Sequence, residues 1–474
     1  MSELWRWDAA DLAAAIRLRK VSSLEAVEAC LARIDAVNPR LNAVVQVLAE
    51  SARKQADAAD AAVHRGDALG TLHGVPVTIK ENIDQTGLAT VNGVEAFLKT
   101  IASADAPPVA NWKKAGAIVI GRTNTPAFSS RWTTDNAVRG RTHNPWSRAH
   151  VPGGSSGGAA AAVAAGMGPL AHGNDYAGSI RYPAYCCGVA GIRPSFGRVP
   201  AWNPSAPAER PPTAQLMSVQ GPLARRVRDL RIGLAAMAAR DPRDPWWVPA
   251  PLEGPAPPRP IRVALVPSPA GQDVDAEVAQ AVREAGRALA DAGYAVEEIA
   301  PPPIMEVGAL AFRLVAQDMR TFGMQQVRDL ADPEGRRSIE WFVEVAAPMN
   351  ERDYAAGVAE RARHLRAWLA FLEATPLVVL PVSGRLPFMH GFDIESLESS
   401  RRAENAQSTL IAFNFLGLPG VSVPIGTVPH AQAPHGLPAG VQVVASRFRE
   451  DLALDAAEVI EARHPMATPI DPAG

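Results

Sequence analysis

Hydrophobic positions along this chain change period from segment to segment. Between Ser22 and Val37, Leu24, Val27, Leu31 and Ile34 recur at helical spacing, and Ser22 with Glu25 three residues on is a capping-box start, so an amphipathic helix is predicted there. From Val75 the period falls to two: Val75, Val77 and Ile79 face one way, Pro76, Thr78 and Lys80 the other, giving a strand that ends on a lysine. The unbroken run Ala117-Ile118-Val119-Ile120-Gly121 reads as a buried strand, with a helix before it around Val109 to Lys114 and the polar loop Arg122 to Thr125 after it. After Gly157-Gly158 an alanine-rich helix runs to about Ala165 and leads into the strand-like Pro169-Leu170-Ala171. Helices alternating with buried strands imply an α/β sheet.

The proline-dense stretch between Arg240 and Pro260 excludes a helix or central strand and is read as a connector. Beyond it the pattern resumes with a strand at Arg262 to Val266, a helix over Ala276 to Ala292, and apolar strands at Leu377 to Leu380 and Val421 to Val423, so a second α/β portion can begin there. Residues 305–350 gather Met305, Phe312, Met319, Phe322, Met324, Trp341, Phe342 and Met349. Two readings stand side by side: helical core packing, or a mobile lid that lines an apolar substrate pocket and sets specificity.

Composition narrows the classes. The 474 residues are 47% apolar and 20% charged, ordinary for a globular chain with a buried core. The net charge of -2 supplies no basic field for nucleic acid. The three cysteines include the adjacent pair Cys186-Cys187, which indicates no disulfide framework and favours a reducing, cytoplasmic location. No leader pattern and no membrane-spanning apolar run stand out, so a soluble protein without a membrane partner is expected. The ten histidines form no HExxH pair and there is no CxxC, so no metal or cofactor is expected, and His143 and His150 read as loop or surface residues.

Three segments carry candidate chemistry. The first, Gly153-Gly154-Ser155-Ser156-Gly157-Gly158, combines close backbone approach with two hydroxyls. It also matches G-x-S-x-G, but a nucleophile elbow follows a buried strand, whereas the polar loop Asn144 to Pro152 precedes this one. The second, Gly173 to Arg181, places Ser179 after small residues whose N–H groups can converge on an oxyanion. The third is Lys80, one of six lysines that all lie at or before Lys114. A lysine serves as a base only if desolvation or a nearby cation lowers its pKa by roughly 3 units.

Gly74-Val75-Pro76 leading to Lys80, the loop at 153–158 and the Gly178-Ser179-Ile180-Arg181 turn, with Ser179 twenty-four positions beyond Ser155, together resemble the amidase-signature family. The resemblance is strongest from about Leu72 to Pro200, with weaker echoes at Gly221 to Arg225 and Gly436 to Phe448. It implies a large mixed, twisted β-sheet covered by helices on both faces, in one domain spanning 1–474 with the connector at 240–260. It also implies a Lys80, Ser155, Ser179 triad, with Ser179 as nucleophile, Ser155 as proton shuttle and Lys80 as general base. The backbone N–H groups of Tyr176, Ala177, Gly178 and Ser179 become the oxyanion hole, and Asp175, Arg181 and Ser156 its structural support. Asn174 and Ala177 stand where the family commonly has Thr and Gly.

The substrate implied is a small apolar or aromatic amide, bound near Trp132, Tyr176, Phe322 and Trp341. A carbamate or ester handled by the same triad is the alternative. An amidotransferase subunit fits less well because Tyr182 follows Ser-Ile-Arg where that branch commonly has glutamine, and a non-catalytic amide-binding scaffold less well because the triad is intact. The active form is expected to be a monomer or homodimer, with activity rising to an alkaline optimum as Lys80 loses its proton.

Overall fold

The computed structural model describes residues 3–473. Its eleven strands are β1 (Val44–Val47), β2 (Pro76–Lys80), β3 (Ile118–Thr123), β4 (Leu170–Asp175), β5 (Ala190–Arg193), β6 (Val219–Ala224), β7 (Arg262–Leu265), β8 (Ala295–Glu298), β9 (Leu377–Pro381), β10 (Gly420–His430) and β11 (Ala433–Ala445). They form one sheet in the order β1-β3-β2-β4-β6-β5-β10-β11-β9-β7-β8. The sheet is mixed: β2 runs parallel to β3 and β4, and β7 to β8 and β9, while the pairs from β4 through β11 to β9 are antiparallel.

The capping box at Ser22 forms as its sequence dictates, with Glu25 N donating to Ser22 Oγ at 3.0 Å and Ser22 N to Glu25 Oε2 at 2.8 Å. The helix it starts, Ser23–Leu41, outruns the expected end at Val37 and stops at Asn42 in the left-handed region. No helix or strand occurs between Met237 and Arg262, so the proline-rich connector is irregular backbone. The strands beyond it continue the same sheet through the β9–β11 pairing and do not start another.

Alternation along the strands sorts the core onto two faces. Val75, Val77, Ile79, Val119, Leu170, Val263, Val379, Val441 and Val443 belong to one apolar layer that extends from β2 to β7. On the opposite face the packing is split. One cluster gathers Ile118, Ile120 and Ala171 under the alanine-rich helix Gly157–Ala164, whose residues are all buried. The other joins Ala264, Val378, Leu380 and Val444 to the helices Ile304–Asp318 and Leu397–Leu416. Lys80, opposite in phase to Val77 and Ile79, and Gln442, opposite to Val441 and Val443, project from this divided face, where polar groups are left room.

Residues 305–350 become all but the first residue of the Ile304–Asp318 helix, a π-helical turn at Met319–Gly323, and the helices Met324–Leu330 and Pro333–Val345. His150, read as a loop or surface residue, lies in a loop but is 2% exposed, its Nδ1 pairing with Ser147 Oγ at 2.8 Å.

Candidate active site

Lys80 ends β2 fully buried, with three partners around Nζ: Ser155 Oγ at 2.7 Å, Asn174 Oδ1 at 2.7 Å and Ser156 Oγ at 3.1 Å. A neutral amine has two N–H donors and one lone pair. Asn174 Oδ1 can only accept, and Ser156 Oγ lies 3.4 Å from the Asn174 carbonyl, to which it donates, so both accept from Lys80. The remaining lone pair then points at Ser155, whose hydroxyl can donate to it. Burial lowers the Lys80 pKa far below the usual lysine value, and the Asp175 carboxylate opposes this only in part.

Ser155 comes from the glycine loop, which close backbone approach holds in place. A Cβ on Gly154 would lie 2.1 Å from Arg131 O and 2.5 Å from Thr133 O, so no larger residue fits. Thr134 Oγ1 donates to Gly153 O at 3.0 Å and accepts from Gly157 N at 3.0 Å, closing the loop. Ser156 N donates to Ser179 O at 3.2 Å, which ties this loop to the second candidate segment.

That second segment turns on Asp175 at the end of β4. Its carboxylate accepts from Gly178 N at 2.7 Å, Ile180 N at 3.2 Å, Arg181 Nε and Nη2 at 3.0 Å each, and Asn414 Nδ2 at 2.9 Å. Burial alone would raise this carboxyl, but the Arg181 and Arg193 guanidiniums and the hydrogen bonds outweigh it and hold the pKa well below the carboxylate range. Arg181 also donates to Gln442 Oε1 at 2.5 Å and to Asn414 Oδ1. One expectation is corrected here. The Gly178 N–H is engaged by Asp175 and leaves the expected donor set, while the N–H groups of Tyr176, Ala177 and Ser179 have no protein acceptor among the described residues.

Ser179 is half-buried and lines a recess together with Trp132, Tyr176 and Ala177. Ser155 is 1% exposed and does not line it. Val315, Met319, Ser338, Ile339 and Phe342 close the recess from the 305–350 helices, and Ser400, Ala403 and Glu404 from the Leu397–Leu416 helix. Phe322 and Trp341 are therefore misplaced in the sequence reading. Ser338, Ile339 and Phe342 share one helix face at spacings of three and four, and Trp341, turned about 100° from Phe342, lies at the edge of that face beside Arg337 and does not line the recess. Phe322 is 62% exposed on the π-helical turn, whose inward residue is Met319. The same segment also packs core, through Val307, Ala311 and Leu314, as the first reading of 305–350 expects.

A family model described as Amidase matches residues 25–454. The chain belongs to the amidase family. This amidase is 47% identical over 463 residues to an indoleacetamide hydrolase of Bradyrhizobium diazoefficiens, across 97% of this chain and 87% of that protein. It is 32% identical over 481 residues to an acylamidase of Rhodococcus erythropolis, across 97% and 96% of the two chains. The solved structure of a 6-aminohexanoate cyclic dimer hydrolase complexed with substrate superimposes with a TM-score of 0.81 at 29% identity, covering 98% of both chains. The amidase is thus an amide hydrolase on an α/β fold built around a mixed sheet. No helix of the described residues is long and apolar enough to cross a membrane.

Several residues that shape the amidase's site escape local sequence patterns. Asn174 stands out as a departure from the family motif, but nothing local shows that its amide oxygen meets Lys80. Asn414, Gln442 and Glu404 reach the site from 200 and more positions downstream. The Asp175–Arg181 pair, with both side chains fully buried, gives a stability prediction. Asp175→Ala strands the Arg181 guanidinium without its counter-charge and should lower unfolding free energy by about 3–5 kcal/mol. A urea midpoint equal to that of the unaltered amidase would contradict this role.

Proposed function

We propose that this amidase hydrolyses arylacetamides, with indole-3-acetamide as the reference substrate, through an acyl-enzyme on Ser179. The observation that carries the mechanism is the division of labour between the two serines. Ser155 is buried and held by Lys80 at 2.7 Å, while Ser179 borders the recess where a substrate carbonyl can be reached. In this reading Ser155 passes its proton to the Lys80 amine as it takes one from Ser179 Oγ, which attacks the amide carbon. The carbonyl oxygen gains the negative charge and meets the N–H groups of Ala177 and Ser179, with Tyr176 adjacent. Collapse breaks the C–N bond as Ser155 returns a proton to nitrogen, and ammonia leaves. Water, deprotonated by the same relay, then attacks the ester, releases the arylacetic acid and restores the Ser179 hydroxyl.

The acyl group proposed rests on the apolar and aromatic recess wall, Trp132, Val315, Met319, Ile339 and Phe342, and on the relative that acts on indoleacetamide. Esters and carbamates present a similar carbonyl to Ser179 and are the second reading on mechanistic grounds. The purified enzyme should release ammonia and indole-3-acetic acid from indole-3-acetamide in equal amounts, faster than it cleaves the matching ethyl ester or a phenyl carbamate. A faster rate on the ester or carbamate, with no ammonia from the amide, would overturn the substrate assignment.

A further inference from the structure

The recess contains charged side chains that hydrolysis of the amide bond does not use. Arg131 and Asp393 are engaged with each other: Arg131 Nε and Nη2 donate to Asp393 at 2.9 and 3.0 Å, and Nη1 to Glu334 at 2.9 Å. Ser338 Oγ adds a hydrogen bond to Asp393 at 3.1 Å. Glu404 differs. Trp132 Nε1 donates to its Oε1 at 2.8 Å, and among the described residues the carboxylate has no other hydrogen-bond partner. A carboxylate offers about four acceptor positions, so most of its capacity remains open to the recess it lines.

Glu404 is half-buried, so water can fill that capacity in the free enzyme and a ligand donor can take the place of the water. We infer that Glu404 is the specificity-determining residue of the acyl site: its free oxygen accepts a hydrogen bond from the ring N–H of an aromatic acyl group, while Trp132 holds the other oxygen. This rests on the arylacetamide reading above and refines it from aromatic amides in general to those with an N–H in the ring. A cationic group is the other guest a carboxylate attracts, but Val315, Met319 and Phe342 in the same walls do not replace its hydration. A neutral N–H leaves water at far lower cost. Burial, with Asp393 adding to it and the Trp132 hydrogen bond opposing, raises the Glu404 pKa to about 7, so the acceptor form predominates in alkaline assays.

The test compares indole-3-acetamide with benzofuran-3-acetamide, which keeps the bicyclic shape and replaces N–H by oxygen, at a pH above about 8. In the unaltered enzyme kcat/KM should favour the indole by at least about 10-fold, expressed mainly in KM. In Glu404→Gln the amide oxygen stays with Trp132 and the NH2 group faces the recess, donor against donor, so the ratio should fall to about 1 or below. Equal ratios in the two enzymes, or a ratio near 1 in the unaltered one, would overturn the inference. Calorimetric titration of Ser179→Ala with both amides separates this from the substrate assignment. If no arylacetamide is turned over, that assignment fails, yet tighter binding of the indole still supports the Glu404 contact and equal binding removes it. Stronger binding of 6-aminohexanamide than of either aromatic amide would instead make Glu404 a cation site and overturn the inference.

Discussion

Ser179→Ala enzyme should fold with an unchanged urea midpoint and lose at least ~10⁴-fold in kcat on indole-3-acetamide, because the proposed nucleophile is removed. The side chain is half-buried at the recess wall and makes no hydrogen bond that the fold depends on, whereas its backbone carbonyl, which accepts from Ser156 N, is kept in the variant. The residual rate would report the remaining N–H donors and the binding walls. Substrate affinity should be close to that of the unaltered enzyme, since removing Oγ leaves the recess otherwise intact. A kcat within 10-fold of the unaltered enzyme would mean that a different group attacks, and Ser155 would be the first to reconsider.

Lys80→Met should lower kcat by about 10²- to 10⁴-fold, the range expected for loss of a general base, with the hydroxyl of Ser179 still in place. Methionine replaces the length of the stem in a fully buried position, so the loss reflects the amine more than a cavity. The pH profile carries the sign. The working form of Lys80 is neutral, so kcat/KM rises with pH through its pKa, and burial has moved that pKa far below the usual ~10.4 of a lysine. Activity should therefore reach its plateau well before strongly alkaline pH, which replaces the sequence expectation of an alkaline optimum. An acid limb centred near pH ~10 would contradict a desolvated lysine at this site.

What the sequence made legible was local. Val75, Val77 and Ile79 announce a strand through their alternation, and Lys80 at its end follows; Ser22 and Glu25 announce a helix start; the glycines around Ser155 announce close backbone approach. Each signal lies within a few residues of the structure it causes. What stayed hidden depends on pairing across the sheet or between distant helices. Gln442 and Asn414 meet Arg181 across 261 and 233 positions, and Glu404 meets Trp132 across 272. No period or cap encodes such a meeting. The density of aromatic residues at 305–350 located a wall of the recess but not its inward face. Helix phase makes that choice, selecting Phe342 over Trp341, and a turn of the π-helix selects Met319 over Phe322. The turn from Asp175 to Arg181 shows a further limit: the order of small residues indicates converging N–H groups, but only the Asp175 contact at 2.7 Å reveals that Gly178 is already engaged.

The account stands on which serine forms the covalent intermediate. Reaction of the purified enzyme with a fluorophosphonate, followed by proteolysis and mass mapping of the adduct, addresses that directly. The phosphonyl group should be found on Ser179, with labelling suppressed by indole-3-acetamide and abolished in Ser179→Ala. An adduct on Ser155 in the unaltered enzyme, or undiminished labelling of Ser179→Ala, would contradict the assignment.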